Sequence, residues 1–130
     1  MSSRIFIIDD DEMFADCIAH SVKKVNKKIE VVKFKNAIDA INSLEAPLPD
    51  LIFLDVLLPG VDGFSFLNEI LSYTDTSKIP IVLVTSLKLV KFDLKLYGIK
   101  GILDKEKMKP IEVEEYVERY SNARNRASSH

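Results

Sequence analysis

Carboxylates, hydroxyls and an amine follow several short apolar runs of this sequence, and they offer more chemistry than any other residues. Three aspartates at positions 9–11 follow the first run, and Asp55, Thr85 and Lys105 each follow or end a later one. Clustered carboxylates repel one another unless a cation or a proton relieves the repulsion. Mg²⁺ is a hard ion that one or two carboxylates commonly hold, with water or phosphate oxygens as its other ligands. If these residues meet in space, they predict a magnesium site that supports phosphoryl transfer.

Each residue of this set has a role available to it. The Asp55 carboxylate could attack phosphorus as a nucleophile and form an acyl phosphate. The Thr85 hydroxyl could then donate a hydrogen bond to the phosphoryl oxygens, and the Lys105 ammonium could pair with them as a compact charge.

The elements that must position these residues are strands and helices in alternation. Short apolar runs alternate with helical patterns along the whole chain, which predicts βαβ units around a parallel sheet. The strand candidates are 5–8, 31–34, 51–54, 81–84 and 101–103. In an open parallel sheet the ligand site lies beyond the carboxyl ends of the strands. The acidic run, Asp55, Thr85 and Lys105 should therefore meet at one edge.

Apolar residues at helical spacing predict five helices between and after the strands. Asp11 is placed to cap the first helix and Asn36 the second, and Pro110 can occupy the first turn of the last. Cys17 lies on the apolar face of the first helix, which predicts a small core residue and not a reactive thiol.

Length and composition fit one domain with one core, because domains of about 100–150 residues are the most common. The 18 basic and 20 acidic side chains give a net charge of -2 and are spread along the chain, which argues against direct binding of nucleic acid. No apolar run approaches the roughly 20 residues that cross a bilayer, and no signal peptide is evident. We expect a soluble cytoplasmic protein with a domain at 1–120 and a frayed or disordered tail at 121–130.

Four segments resemble the motifs of two-component response-regulator receiver domains. IFIIDDDEMF resembles their first strand and acidic turn, and DLIFLDVLLPGVDGFSFL resembles their phospho-acceptor strand with the loop that follows. IPIVLVTS resembles their Thr/Ser strand, and GILDK resembles the segment that ends in their lysine. The segments occur in family order and span most of the chain. The resemblance implies a doubly wound five-stranded parallel sheet, a flavodoxin-like (βα)5 fold.

The resemblance also implies a function. Asp55 would be the phosphorylated residue, with Thr85 as the switch hydroxyl and Lys105 as the family's lysine. Such a domain is no conventional enzyme, since it catalyses only its own phosphorylation and dephosphorylation. A sensor histidine kinase or a phosphotransfer protein would be its partner. We expect it to stand alone and to signal through phosphorylation-dependent protein contacts.

A magnesium site is implied in the same way. The carboxylates of Asp10 and Asp55 and the backbone carbonyl of Leu57 would bind Mg²⁺, and Asp9 would act through water.

Two positions depart from the family pattern. Ile102 stands where receivers commonly carry an aromatic residue that changes rotamer on activation. Glu106 follows Lys105 where the family usually has proline, often after a cis peptide bond. A cis bond to a non-proline residue costs about 3–4 kcal/mol. A trans bond is therefore expected after Lys105.

The helix predicted at 86–97 carries more apolar residues than one buried side can hold. One apolar stripe can cover the sheet, and a second, roughly opposite, consists of Leu89, Phe92 and Leu96. Either neighbouring helices hide this second stripe, or it is an exposed patch that binds a downstream protein or a second copy of the chain.

Two other functions compete with the receiver hypothesis. A pseudo-receiver would keep the fold and bind partners without phosphorylation, but the intact acidic residues argue against it. A phosphohydrolase with an aspartyl-phosphate typically carries a second aspartate two residues after the nucleophile, and Leu57 occupies that position.

Overall fold

A computed structural model of the chain describes residues 3–56, 63–86 and 98–128. Side chains are described up to residue 121. Leu57 and the helix predicted at 86–97, with its stripe of Leu89, Phe92 and Leu96, lie outside these ranges except for Ser86.

Five parallel strands form one sheet in the order β2-β1-β3-β4-β5. The strands are β1 (Arg4–Ile8), β2 (Glu30–Phe34), β3 (Leu51–Leu54), β4 (Ile81–Thr85) and β5 (Ile99–Asp104). Every predicted run is a strand. β3 and β4 are buried along their whole length, as expected of strands that helices cover on both faces. The predicted doubly wound sheet is confirmed.

Four helices are described: α1 (Glu12–Val25), α2 (Ala37–Asn42), α3 (Gly63–Leu71) and α4 (Pro110–Ser128). The Asp11 carboxylate accepts a hydrogen bond from the Phe14 amide at 3.2 Å and caps α1. The Asn36 side-chain oxygen accepts one from the Asp39 amide at 2.8 Å and caps α2. Both predicted caps are confirmed. Within the described ranges, no helix is long and apolar enough to cross a membrane.

The core consists of two layers, one on each face of the sheet. Successive strand residues point to opposite faces, so Phe6 and Ile8 join the layer under α2 and α3, while Ile5 and Ile7 join the layer under α1 and α4. This sandwich fixes the strand ends relative to one another.

The two edge strands of the sheet are β2 and β5. Two ion pairs connect β2 and the residue after it to α1. Lys33 pairs with Asp16, and Lys35, just beyond the strand, pairs with Glu12. All four side chains are exposed, so these pairs add little to stability.

The prediction of a core Cys17 is wrong, because its side chain is exposed. α1 places Ala15, Ile18 and Val22 against the sheet. Position 17 is about 100° around the helix from Ile18 and therefore falls beside that face.

The last helix, α4, continues through Ser128. The domain at 1–120 with a frayed or disordered tail at 121–130 stays a prediction. Ser121 is buried, and its hydroxyl donates a hydrogen bond to the Val117 carbonyl at 2.6 Å. The alanines and arginines beyond it are good helix formers, so the helix extends past the last apolar position.

Candidate functional site

Asp9 and Asp55 lie side by side because the sheet itself places them. Each is the first residue after its strand, β1 or β3. The Asp9 amide donates a hydrogen bond to the Phe34 carbonyl at 2.9 Å, and the Asp55 amide donates one to the Ile8 carbonyl at 2.9 Å. Both backbones thus continue the ladder one step beyond the strands. Both side chains are buried at the carboxyl edge of the sheet.

Lys105 reaches the same point from β5. Its amide donates a hydrogen bond to the Thr85 carbonyl at 3.2 Å, which sets the lysine beside the end of β4. Its ammonium donates to Asp9 Oδ1 and to Asp55 Oδ2, each at 3.0 Å. The lysine bridges the two aspartates.

The two oxygens of Asp9 have different surroundings. Oδ1 accepts hydrogen bonds from the Asp11 amide and from the Lys105 ammonium. Oδ2 is 2.8 Å from the same ammonium but lacks hydrogen-bond geometry. Within the described part of the chain, it is the buried side-chain polar atom that has no hydrogen-bond partner. The ion pair with Lys105 offsets part of the cost of burying this oxygen.

Three carboxylates converge here in a way that suits a hard cation. One oxygen each from Asp9, Asp10 and Asp55 lies within 4.8 Å of the others. Asp9 and Asp55 are buried and Asp10 is exposed, so the cluster opens toward solvent on the Asp10 side. The all-oxygen donor set of these three carboxylates fits Mg²⁺. Leu57, the third protein ligand that the resemblance implies, lies outside the described residues.

The local electrostatics reflect burial and pairing. Burial raises the pKa of Asp9, and hydrogen bonds from Lys105 and from the Asp11 amide only partly offset that effect. Burial lowers the pKa of Lys105, but its bonds to Asp9 and Asp55 outweigh burial and leave that pKa above its ordinary value. The lysine is therefore a fixed positive charge between the two acids.

Thr85 is brought to the same edge. It is the last residue of β4, it is buried, and it pairs in register with Asp104 of β5. The structure thus brings together Asp9, Asp10, Asp55, Thr85 and Lys105, as the sequence predicts.

The two departures from the family pattern have structural counterparts. Ile102 is 39% exposed on the edge strand. The peptide bond after Lys105 is trans, as predicted, since among the described residues the cis bond is Ala46–Pro47. The Glu106 amide donates a hydrogen bond to the Asp104 carboxylate at 2.9 Å, which shapes this turn without proline.

Sequence reasoning missed two residues that build the site. The Lys105 ammonium lies 4.8 Å from the ring centroid of Phe14, in cation–π range. A Cβ at Gly63 would be 2.4 Å from the Val56 Cα, so only glycine lets α3 start against the chain that follows Asp55. The signal for Phe14 was its place in the first turn of α1. Gly63 looked like an ordinary loop glycine.

Comparison with known proteins gives a consistent result. The family model described as the response regulator receiver domain matches residues 5–119. The DNA-binding dual master transcriptional regulator RpaA of Synechocystis sp. is 34% identical over 119 residues, which cover 89% of this chain and 46% of that protein. This chain therefore spans less than half the length of that relative.

Solved structures share the fold. A CheY-like response regulator receiver domain protein from Methanospirillum hungatei superposes with a TM-score of 0.80 at 18% identity, covering 98% of this chain and 99% of that one. The receiver domain of a sensor histidine kinase from Pseudomonas aeruginosa was solved with magnesium in its active-site cleft. It superposes with a TM-score of 0.77 at 23% identity, covering 92% of this chain and 98% of that one. At these identities the likeness shows the fold alone.

Proposed function

Because this chain belongs to the response regulator receiver domain family, whose members accept a phosphoryl group on an aspartate, we propose that Asp55 is its phospho-acceptor and that the reaction requires Mg²⁺. The observation that carries this proposal is the bridge that Lys105 forms between Asp55 and Asp9. It sets an attacking carboxylate beside a fixed positive charge and a second acid.

The chain's own residues would divide the reaction as follows. An Asp55 oxygen forms a bond to phosphorus of the donor while the bond from phosphorus to the leaving group breaks, and the leaving group departs with that electron pair. Lys105 pairs with the negative phosphoryl oxygens. The Thr85 hydroxyl donates a hydrogen bond to one of them.

Asp10, Asp55 and the backbone carbonyl of Leu57 would hold the metal, and Asp9 would act through water. Bound Mg²⁺ would neutralise charge on the acids and on the phosphoryl group as they approach each other. The convergence of one oxygen each from Asp9, Asp10 and Asp55 within 4.8 Å supports this assignment, since such a group of acids is relieved by a cation.

The partners we propose are a sensor histidine kinase or phosphotransfer protein upstream and a protein downstream. Contact of a downstream protein or a second copy with Leu89, Phe92 and Leu96 stays a prediction, as does the cytoplasmic location. The DNA binding in the name of RpaA belongs to that longer protein and is not carried over.

A phosphorylation assay tests the proposal. The purified chain is incubated with acetyl phosphate and MgCl2, and its intact mass is measured over time. We expect a gain of one phosphoryl group in the wild type, and no gain in Asp55→Asn or with excess EDTA.

Asp11→Asn is the matched control, because asparagine caps a helix as well as aspartate does. It should be phosphorylated like the wild type. Full modification of Asp55→Asn would overturn the site assignment, and no modification of the wild type would favour the pseudo-receiver. Steady release of phosphate from many esters per chain would favour the phosphohydrolase.

A further inference from the structure

A cavity of about 430 Å³ lies between the ends of α2 and α3 and the loops that follow them. These loops lead into the amino ends of β3 and β4, so the cavity is at the opposite edge of the sheet from Asp55. Its volume falls within the range of about 300–1,000 Å³ that is usual for small-molecule sites. The proposed phosphoryl chemistry uses none of its lining residues.

The floor of the cavity is apolar. Ile41, Leu44 and Leu48 line it and pack against the buried core under α2 and α3. The Thr76 hydroxyl already donates its hydrogen bond to the Ile70 carbonyl at 2.5 Å, so its proton is not available to a ligand. A ligand would therefore gain chiefly apolar contact from this side.

The rim of the cavity is acidic. Glu45, Glu69 and Asp75 line it, and no lysine, arginine or histidine does among the described residues. Asp75 and Glu45 each share a neighbouring groove with a cationic residue, Lys78 and Arg4 respectively. Glu69 has no such neighbour in the described grooves, and none of the described ion pairs includes it.

An aromatic side chain completes the rim. Tyr73 lines the cavity and is 59% exposed, four residues after Glu69 and two beyond the end of α3. The electron-rich face of a tyrosine attracts cations. Carboxylate and aromatic groups around an apolar floor favour a positive charge at the mouth and a hydrocarbon chain below it, and they disfavour an anion.

We propose that this cavity binds a small organic cation with an aliphatic body, an alkylammonium or alkylguanidinium compound. Glu69 pairs with the charged head, and Ile41, Leu44 and Leu48 contact the chain.

The test uses three probes of one length and different charge: n-hexylammonium, n-hexanol and hexanoate. Binding to the full chain is followed by backbone NMR shifts. We expect n-hexylammonium to shift the backbone signals of Leu44, Tyr73 and Thr76 in a saturable way, n-hexanol to bind about two- to fivefold more weakly, and hexanoate to bind least.

Glu69→Gln should weaken the binding of n-hexylammonium about two- to fivefold and leave the binding of n-hexanol unchanged, as expected for loss of one ion pair. Glu118→Gln, on the exposed surface of α4, is the matched control and should change nothing. Urea unfolding of both variants verifies the fold, and Glu45→Gln provides a second acidic substitution if Glu69→Gln is unstable.

Three results would overturn the proposal: equal affinity for the three probes, shifts that map elsewhere, or acidic-rim variants that bind n-hexylammonium as the wild type does. A capped Leu-Lys-Leu peptide that binds more than about tenfold tighter than n-hexylammonium would also overturn it, in favour of a protein side chain.

Discussion

The ammonium of Lys105 lies 3.0 Å from Oδ2 of Asp55, although 50 positions separate the two residues in the sequence. The same ammonium lies 2.8 Å from Oδ2 of Asp9. Without a metal, this lysine is the cation that offsets both buried acids. Its removal should therefore affect the metal-free protein more than the metal-bound one.

Lys105→Ala should lower the free energy of unfolding in EDTA by about 1–3 kcal/mol, because it leaves two buried carboxylates without their cation. Added Mg²⁺ should restore more stability to this variant than to the wild type. Urea unfolding with EDTA and with MgCl2 measures both effects. Lys107→Ala, at an exposed position of the same turn, is the control. A loss that Mg²⁺ does not reduce would contradict this role.

Asp10→Ala should separate metal binding from folding. Asp10 is exposed, and it belongs to the acidic cluster but not to the ion pairs of Lys105. Calorimetric titration should show Mg²⁺ binding at least about tenfold weaker. The free energy of unfolding in EDTA should stay the same or rise, because the substitution removes like-charge repulsion. A large loss of metal-free stability would count against Asp10 as a ligand.

The raised pKa of Asp9 predicts that the free energy of unfolding depends on pH. Burial raises this pKa above its ordinary value of 3.8, so the native state keeps a proton that the unfolded chain has lost. The native state gains stability from neutral Asp9. This gain is complete at a pH below the pKa of Asp9 in the unfolded chain, and it is lost as the pH rises through the pKa of Asp9 in the native protein. In EDTA, the stability of Asp9→Asn relative to the wild type should therefore rise as pH increases above about 4, and it should level off once Asp9 of the wild type is ionised in the native state. A stability difference that does not change with pH would refute the prediction.

Two glycines should respond differently to alanine. A Cβ at Gly63 would meet the Val56 backbone at 2.4 Å, whereas one at Gly101 would meet the Tyr116 hydroxyl at 1.9 Å. The tyrosine side chain can swing away, but the backbone beside Asp55 cannot. Gly63→Ala should cost about 1–3 kcal/mol and slow phosphorylation of Asp55, and Gly101→Ala should cost less. Urea unfolding and the mass assay measure these effects, and the reverse order would show that Tyr116 is the more rigid neighbour.

The strand ends were predictable, because each apolar run stops where polar residues begin and the parallel sheet brings those ends together. The start of β5 was not. Ile99 is buried beside Ile81, but exposed Lys100 and then Gly101 interrupt the apolar pattern.

The different environments of Asp9 and Asp10 also could not be predicted, because the two residues are identical and adjacent in the sequence. Asp9 continues the ladder through its bond to Phe34 and is buried, and Asp10 emerges into solvent. The cavity near Glu69 has no sequence signal either, since it depends on how the loops after α2 and α3 lie against each other.

The charged flank of β2 bears on how the protein behaves when it is concentrated. An edge strand has unpaired backbone groups that a strand of another chain can extend, which is a common start of fibril growth. Here Lys33 and Lys35 flank that edge with positive charge and are held by Asp16 and Glu12 of α1. An incoming strand would have to displace these pairs and strip water from the lysines. Concentrated samples should therefore resist sheet extension at the β2 edge.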